Sequence, residues 1–227
     1  MQIKTFSSQQ NNQASIKAFY DLIDKNILIN DDKDTFEDFM HIFTSSDARC
    51  QLSLKVITIE DELISGIQYC QLKIDKQAYI FIIYIVTDKD HRRHGYGARL
   101  VQLIHSENPD AIILAEILDG SMIDSSKLKL ESIYSGITTT NRDAFWLNLG
   151  FEPWPYHYAN PIPDLSQACN GVIHYNKLII HNQTGEKIAL ESLLQGIKLY
   201  FTYGYCAGNT QDHQWAAYNE ILEQFKD

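Results

Sequence analysis

Two places in this 227-residue chain combine residue types and spacings that could do chemistry. The first is Arg92-Arg93-His94-Gly95-Tyr96-Gly97. Gly95 and Gly97 lack a Cβ, so the backbone there can approach a ligand closely or take positive φ. Three of the five arginines, Arg92, Arg93 and Arg99, fall within eight residues here, a local reversal of sign in a chain of net charge −10. Such a loop suits an anion. The spacing is not that of a P-loop, G-x-x-x-x-G-K-[ST], nor the dinucleotide fingerprint G-x-G-x-x-G. The second place is Ala115-Glu116-Ile117, a carboxylate inside an apolar run. A buried carboxylate is costly unless it is paired or functional. Glu116 is therefore either a base or acceptor-binding group, or a structural acid paired with Arg142 or the backbone. Asp119 stands beside it at the end of the run.

The elements that must position these residues can be read around them. Ala78–Val86 is apolar on both faces, which predicts a central strand. Thr87–Asp90 is a charged turn. Leu100, Leu103 and Ile104 lie at i, i+3 and i+4, so a helix follows over 97–106. The order strand, glycine loop, helix leaves the first amides of the helix unpaired, where they carry the positive end of its dipole. Phosphate oxygens dock readily at such a place.

The rest of the chain falls into similar units. Residues 2–6 read as an edge strand. Ile16, Phe19, Tyr20, Ile23 and Ile27 follow a helical period, and a second helix is expected over Thr35–Phe43. Asp31, Asp32, Asp34, Glu37 and Asp38 load its N-terminal end, complementing the dipole or offering a patch to a cationic acceptor. Leu52–Glu60 and Leu63–Ile74 read as antiparallel strands, with Gly66 a bulge or kink. Ala111–Leu118 is a further buried strand, and Ser121–Ser135 fits a helix or an ordered loop. Thr139, Thr140 and Asn141 offer N-caps to a helix over Arg142–Leu149, ended by Gly150. Phe151 opens another strand. Tyr158–Pro163 reads as an extended link, Gly171–Ile180 as the last strand of the sheet, and 188–200 and 211–225 as helices. Tyr203 and Tyr205 between them are expected to pack the two helices together rather than line a pocket.

Length allows one large domain or a domain with an extension. No apolar run approaches the ~20 residues of a membrane helix, and the N-terminus has no signal-peptide core. Cys50, Cys70, Cys169 and Cys206 form no C-x-x-C pair and no zinc spacing, so they are expected as reduced thiols in a cytoplasmic protein. A pI near 5.2 argues against nucleic acid as a partner.

The pattern Arg92-x-x-Gly95-x-Gly97 between a strand and a helix resembles the acetyl-CoA-binding motif of the GNAT N-acetyltransferase superfamily. A second motif agrees: Phe145-Trp146-Leu147-Asn148-Leu149-Gly150-Phe151 resembles that family's Phe-Tyr-x-x-x-Gly-Phe helix end. The order of elements fits over residues 1–160. The resemblance implies an α/β (α+β) GNAT fold: a central mixed, mostly antiparallel sheet flanked by helices. It would occupy residues 1–180, with 181–227 a C-terminal helical extension. It also implies an acetyl-CoA-dependent N-acyltransferase without a metal. The pyrophosphate would lie on the amides of Arg93, His94, Gly95, Tyr96, Gly97 and Ala98, beside Arg92. The pantetheine arm would pair with Ile85, Val86 and Thr87, and a backbone N–H near Ile85 or Val86 would face the thioester oxygen.

The acceptor would be a small-molecule or peptide amine, with no membrane partner, and the protein a monomer or homodimer. An alkylammonium has a pKa near ~10, so removing its proton at neutral pH costs ~4 kcal/mol and a base helps. Many relatives carry a glutamate on the strand equivalent to 79–86. Here that strand has none, and Glu116 is the substitute. Trp146 stands where the family often has its acidic tyrosine, and an indole N–H is no acid. Tyr84, Tyr156 or Tyr158 could serve instead, the thiolate could leave unassisted, or activity could be lost. The alternatives are thus a catalytically inactive acyl-CoA-binding module of the same fold, and an unrelated phosphate-binding α/β protein.

Overall fold

A strand with no polar face must be covered on both sides, and Gln77–Thr87 (β4) lies mid-sheet with helices above and below it. The computed structural model describes residues 1–8, 12–27, 33–45, 47–122, 125–161, 173–205 and 212–226. Asp31, Asp32, Ile162, Pro163, Cys169 and Cys206, singled out above, lie outside them. The other strands are Gln2–Ser7 (β1), Cys50–Ile59 (β2), Glu62–Ile74 (β3), Ile112–Leu118 (β5), Glu152–Pro153 (β6), Tyr158–Pro161 (β7) and Ile173–Asn182 (β8). Their order is β1-β2-β3-β4-β5-β8-β6, with β7 also paired to β8. β1 to β4 form an antiparallel meander. β4 and β5 are parallel, which requires a crossover, and the helix Tyr96–Glu107 (α3) supplies it.

The helices sort onto two faces. Gln13–Asn26 (α1), Phe36–Thr44 (α2), Leu190–Tyr200 (α6) and Asp212–Glu223 (α7) share one core layer through Phe19, Ile23, Phe39, Phe43, Ile197, Tyr200 and Ile221. α3 and Thr139–Asn148 (α5) cover the other through Leu100, Val101, Ile104 and Trp146. Within the ambiguous 121–135 stretch, Ser125–Ser135 (α4) is a helix.

A β-bulge sets the geometry of β4. Gln68 pairs with Tyr84 but Tyr69 pairs with Ile82, so Ile83 is an extra residue. The bulge shifts the alternation of faces by one, so that Phe81 and Tyr84 both enter the α1–α2 layer. Without it, Tyr84 would point towards α3.

Several local expectations change. Gly66 is no bulge; a Cβ there would come 2.5 Å from the Phe19 ring, so the position is empty because α1 packs directly on β3. Thr138, not 139–141, caps α5, accepting from the amide of Asn141 at 3.2 Å. The expected link at 158 pairs with β8 as a strand. β8, the last strand of the sheet in chain order, is internal to it, with β5 on one side and the short β6 and β7 on the other. Cys50 and Cys70, expected as reduced thiols, form a disulfide between β2 and β3. Their separation of 20 residues says nothing by itself. Only the register, with Leu52 opposite Cys70 and Leu72 opposite Cys50, makes them diagonal neighbours. No helix among the described residues is long and apolar enough to cross a membrane.

Candidate functional site

β4 and β5 pair only from Tyr79↔Ile112 to Ile82↔Ala115 and then part. β5 stays paired with β8 through Leu118, so the gap opens on the β4 side. The parting coincides with the bulge at Ile83, and Glu116 is the first β5 residue beyond the last pair. A cavity of about 900 Å³ fills the gap. It is bordered by Ile85, Val86, Thr87, Arg92, Arg93, Gly95, Tyr96, Gly97 and Ala98, and by Tyr84 and Glu116. His94, Tyr158, Tyr156 and Asp119, also singled out above, do not border it.

One wall is the start of α3. Its N-cap, Gly95, takes φ 78° and offers no side-chain cap, and Arg93 before it takes φ 65°. The first intrahelical bond is from Arg99 N–H to Gly95 O at 2.9 Å. The amides of the turn before it, at the positive end of the helix dipole, border the cavity and suit an anion. His94 stacks on Tyr96 instead of facing the cavity, its Nδ1 2.9 Å from Arg92 O.

Arg92 has a structural task. Its Nε donates to Thr87 O at 3.1 Å, Nη2 to Asn26 Oδ1 at 2.7 Å, and Nη1 to Ser135 O. It thus clamps the end of β4 to the last turns of α1 and α4. The preceding turn is held by Asp88, which pairs with Lys25 at 2.7 Å.

The deep end of the cavity is built around Glu116. Tyr158 donates to its Oε1, and Tyr205 and Tyr200 to its Oε2, the last at 3.4 Å. Arg142 is not its partner. Burial raises the Glu116 carboxyl to about 7 despite these phenols, which favour the anion. The three tyrosines are pushed well above their ordinary value, by burial first and by Glu116 second. Asn176 donates to Asn160 Oδ1 at 3.0 Å, and Asn160 donates to Tyr205 Oη at 3.0 Å, so a chain of hydrogen bonds ends at the carboxylate.

The other candidates make contacts of their own. Tyr84 donates to Asp34 Oδ2 at 3.0 Å and accepts from the Asp34 amide at 3.1 Å. Tyr156 packs against Trp154 and Phe225. Trp146 lies in the core edge-on to Phe145 and Phe151, with one side on the cavity. Asp119 binds Ser121 and lies 3.7 Å from Lys177. Sequence reasoning missed Tyr205, Asn160 and Asn176 as site residues. The Tyr203–Tyr205 cluster was the available signal, but its pairing with residue 116 depends on tertiary contact.

Residues 11–106 match the family model described as acetyltransferase (GNAT) family. The matched stretch runs from α1 to α3 and includes the Arg92–Gly97 loop. Solved structures show the same fold. A GNAT-family protein from Bacteroides thetaiotaomicron superposes with a TM-score of 0.63 at 16% identity, covering 92% of this chain and all of its own. An aminoglycoside 6′-N-acetyltransferase complexed with coenzyme A gives 0.53 at 15% identity, over 83% of this chain and all of its own. The aminoglycoside 6′-N-acetyltransferase from Enterococcus faecium gives 0.52 at 15%, over 83% and 100%. No curated protein matches the sequence. Within this GNAT fold the split strands and the open α3 turn meet at one cavity, with Glu116 at the apex of the split.

Proposed function

We propose that this GNAT-fold protein transfers an acetyl group from acetyl-CoA directly to an amine, with Glu116 as general base and Tyr205 as proton donor. The observation that carries this reading is the shared cavity: the α3 amides, the unpaired edge of β4 and Glu116 border one space. The pyrophosphate lies on the amides from Arg93 to Ala98. The pantetheine arm lies along Ile85–Thr87, where β4 has lost its β5 partner. The acetyl carbon then sits near the apex, where an amide of β4 can stabilise the oxyanion.

The proton balance closes within the site. Glu116 takes the proton from the attacking nitrogen. A carboxyl near 7 is suited to this at neutral pH, since catalytic groups work best with a pKa near the operating pH. As the intermediate collapses, the C–S bond breaks and the sulfur keeps the electron pair. Tyr205 donates its phenolic proton to that sulfur and takes the proton held on Glu116, to which it is already hydrogen-bonded. The products are the N-acetyl amide and free CoA thiol, and Glu116 returns as carboxylate. Tyr158 and Tyr200 orient the carboxylate, both from outside the cavity lining.

A second reading, an acyl-CoA-binding module that does not catalyse, draws support from Trp146 and from the absence of any carboxylate on β4. Thiol release from acetyl-CoA across an amine panel decides between them. Glu116→Gln is expected to lower kcat by roughly 10²–10⁴ while acetyl-CoA affinity holds, the range typical of a general base. Tyr205→Phe lowers kcat in the same direction. Unchanged turnover in E116Q at every pH removes Glu116 from the mechanism, and acetyl-CoA binding without thiol release from any amine favours the second reading.

A further inference from the structure

The deep end of the cavity holds a second carboxylate for which acetyl transfer has no use. Asp34, just ahead of the Thr35 cap of α2, borders the same space as Glu116. Its position is fixed from three sides. Its amide donates to Tyr84 Oη at 3.1 Å, its Oδ2 accepts from Tyr84 at 3.0 Å, and its carbonyl accepts from Tyr20 at 3.0 Å. Among the described residues, no other residue donates a hydrogen bond to its Oδ1. No lysine, arginine or histidine among the described residues pairs with either Asp34 or Glu116.

The bulge at Ile83 is what aims Tyr84, and with it Asp34, into the layer where Glu116 lies. Arg92 and Arg93 border the cavity beside α3, with Asn26 hydrogen-bonded to Arg92, and Arg142 borders it from α5. Asp34, Glu116, Asn160 and Asn176 border it too, and Asn176, Asn160 and Tyr205 link to the Glu116 carboxylate. Two enclosed carboxyls without cations are costly to keep ionised, and an occupant carrying two positive groups would offset both.

Building on the acetyl-transfer reading, we infer that the acceptor is a small molecule with at least two amino groups, of the diamine or polyamine class. One nitrogen is acetylated at Glu116 while a second, protonated, is held by Asp34. Asp34 is then the residue that selects a dibasic acceptor over a monoamine.

The test compares 1,4-diaminobutane and spermidine with n-butylamine on the full-length chain. One arm measures transfer from acetyl-CoA, and the other measures amine binding by calorimetry, which needs no turnover. The expected result is a preference of about tenfold or more for the dibasic amines in kcat/KM, equivalent to a single favourable charged contact. Asp34→Asn keeps the size and the Tyr84 contacts, and is expected to collapse that preference to near unity and to abolish diamine binding in the calorimeter. Melting temperature verifies that the variant is folded, and Tyr84→Phe, which releases Asp34, is expected to reduce the preference too. Equal kcat/KM for mono- and diamines, or a preference that survives D34N, overturns the inference while leaving acetyl transfer intact. If no amine is acetylated, the transfer reading fails and the calorimetric arm alone judges Asp34: binding lost in D34N supports it, and absent or unchanged binding overturns it.

Discussion

Glu116 is held ready by contacts that also make it sensitive to pH. Burial raises its carboxyl from an ordinary value of 4.5 to about 7, and Asp34 rises from 3.8 to about 7 for the same reason. A carboxyl with a raised folded value favours the native state in acid. Below about 4.5 both folded and unfolded chains hold the Glu116 proton. Between 4.5 and 7 the unfolded chain releases it first, so stability falls as pH rises, by up to about 1.4 kcal/mol per pH unit. The melting temperature of the wild type relative to E116Q should therefore decline from pH 4.5 to 7 and level off above. A difference that stays flat with pH would show that Glu116 is not perturbed. Under the proposed mechanism catalysis runs the opposite way, because a Glu116 base must be ionised, and acetyl transfer should rise through the same window.

Among the strands and helices, the site depends on two irregularities in an otherwise regular sheet. The bulge at Ile83 turns Tyr84 towards α2, and the loss of β4–β5 pairing after Ile82 leaves the β4 edge available. Neither leaves a mark in the residue pattern, because an apolar run hides which residue is the extra one. The motif loop was legible because its chemistry is local: glycines at 95 and 97, then a helical period. Its first residue, Arg92, was expected beside phosphate; it borders the cavity, and its guanidinium also joins β4, α1 and α4, a task the spacing did not announce.

Gly66 makes the same point about packing. Gly66→Ala would force a methyl to 2.5 Å from the Phe19 ring, which is fully buried and cannot swing away. Overpacking of this kind costs about 1–3 kcal/mol, so thermal unfolding should begin several degrees lower. At Gly97 an added Cβ meets Ile85 and Phe145 at an ordinary 3.6 Å, and G97A serves as the folded control. A melting temperature for G66A equal to that of G97A would contradict the close α1–β3 packing.

At the scale of the whole molecule, the candidate site is assembled from distant parts of the chain. Tyr205 lies 89 residues from Glu116, Tyr158 42 residues, and Tyr84 50 residues from Asp34. A carboxylate in an apolar strand announced itself at residue 116, but its phenolic partners could not be read from spacing. Their approach follows from β8 entering the sheet beside β5 and from α6 packing across β3 and β4. The sheet order up to β5, the two helical layers and the glycine loop were readable from periodicity and motif. The disulfide, the internal place of β8 and the acidic end of the cavity depended on register and tertiary packing.

Everything proposed for the site requires that the cavity between β4 and β5 receive acetyl-CoA, and thermal unfolding with and without that ligand tests this directly. At 100 times Kd about 2.7 kcal/mol of added stability is expected, an upward shift of several degrees, with CoA and acetyl-CoA but not with ATP or NAD. No shift at saturating acetyl-CoA, or an equal shift with ATP, would show that the cavity is not a CoA site.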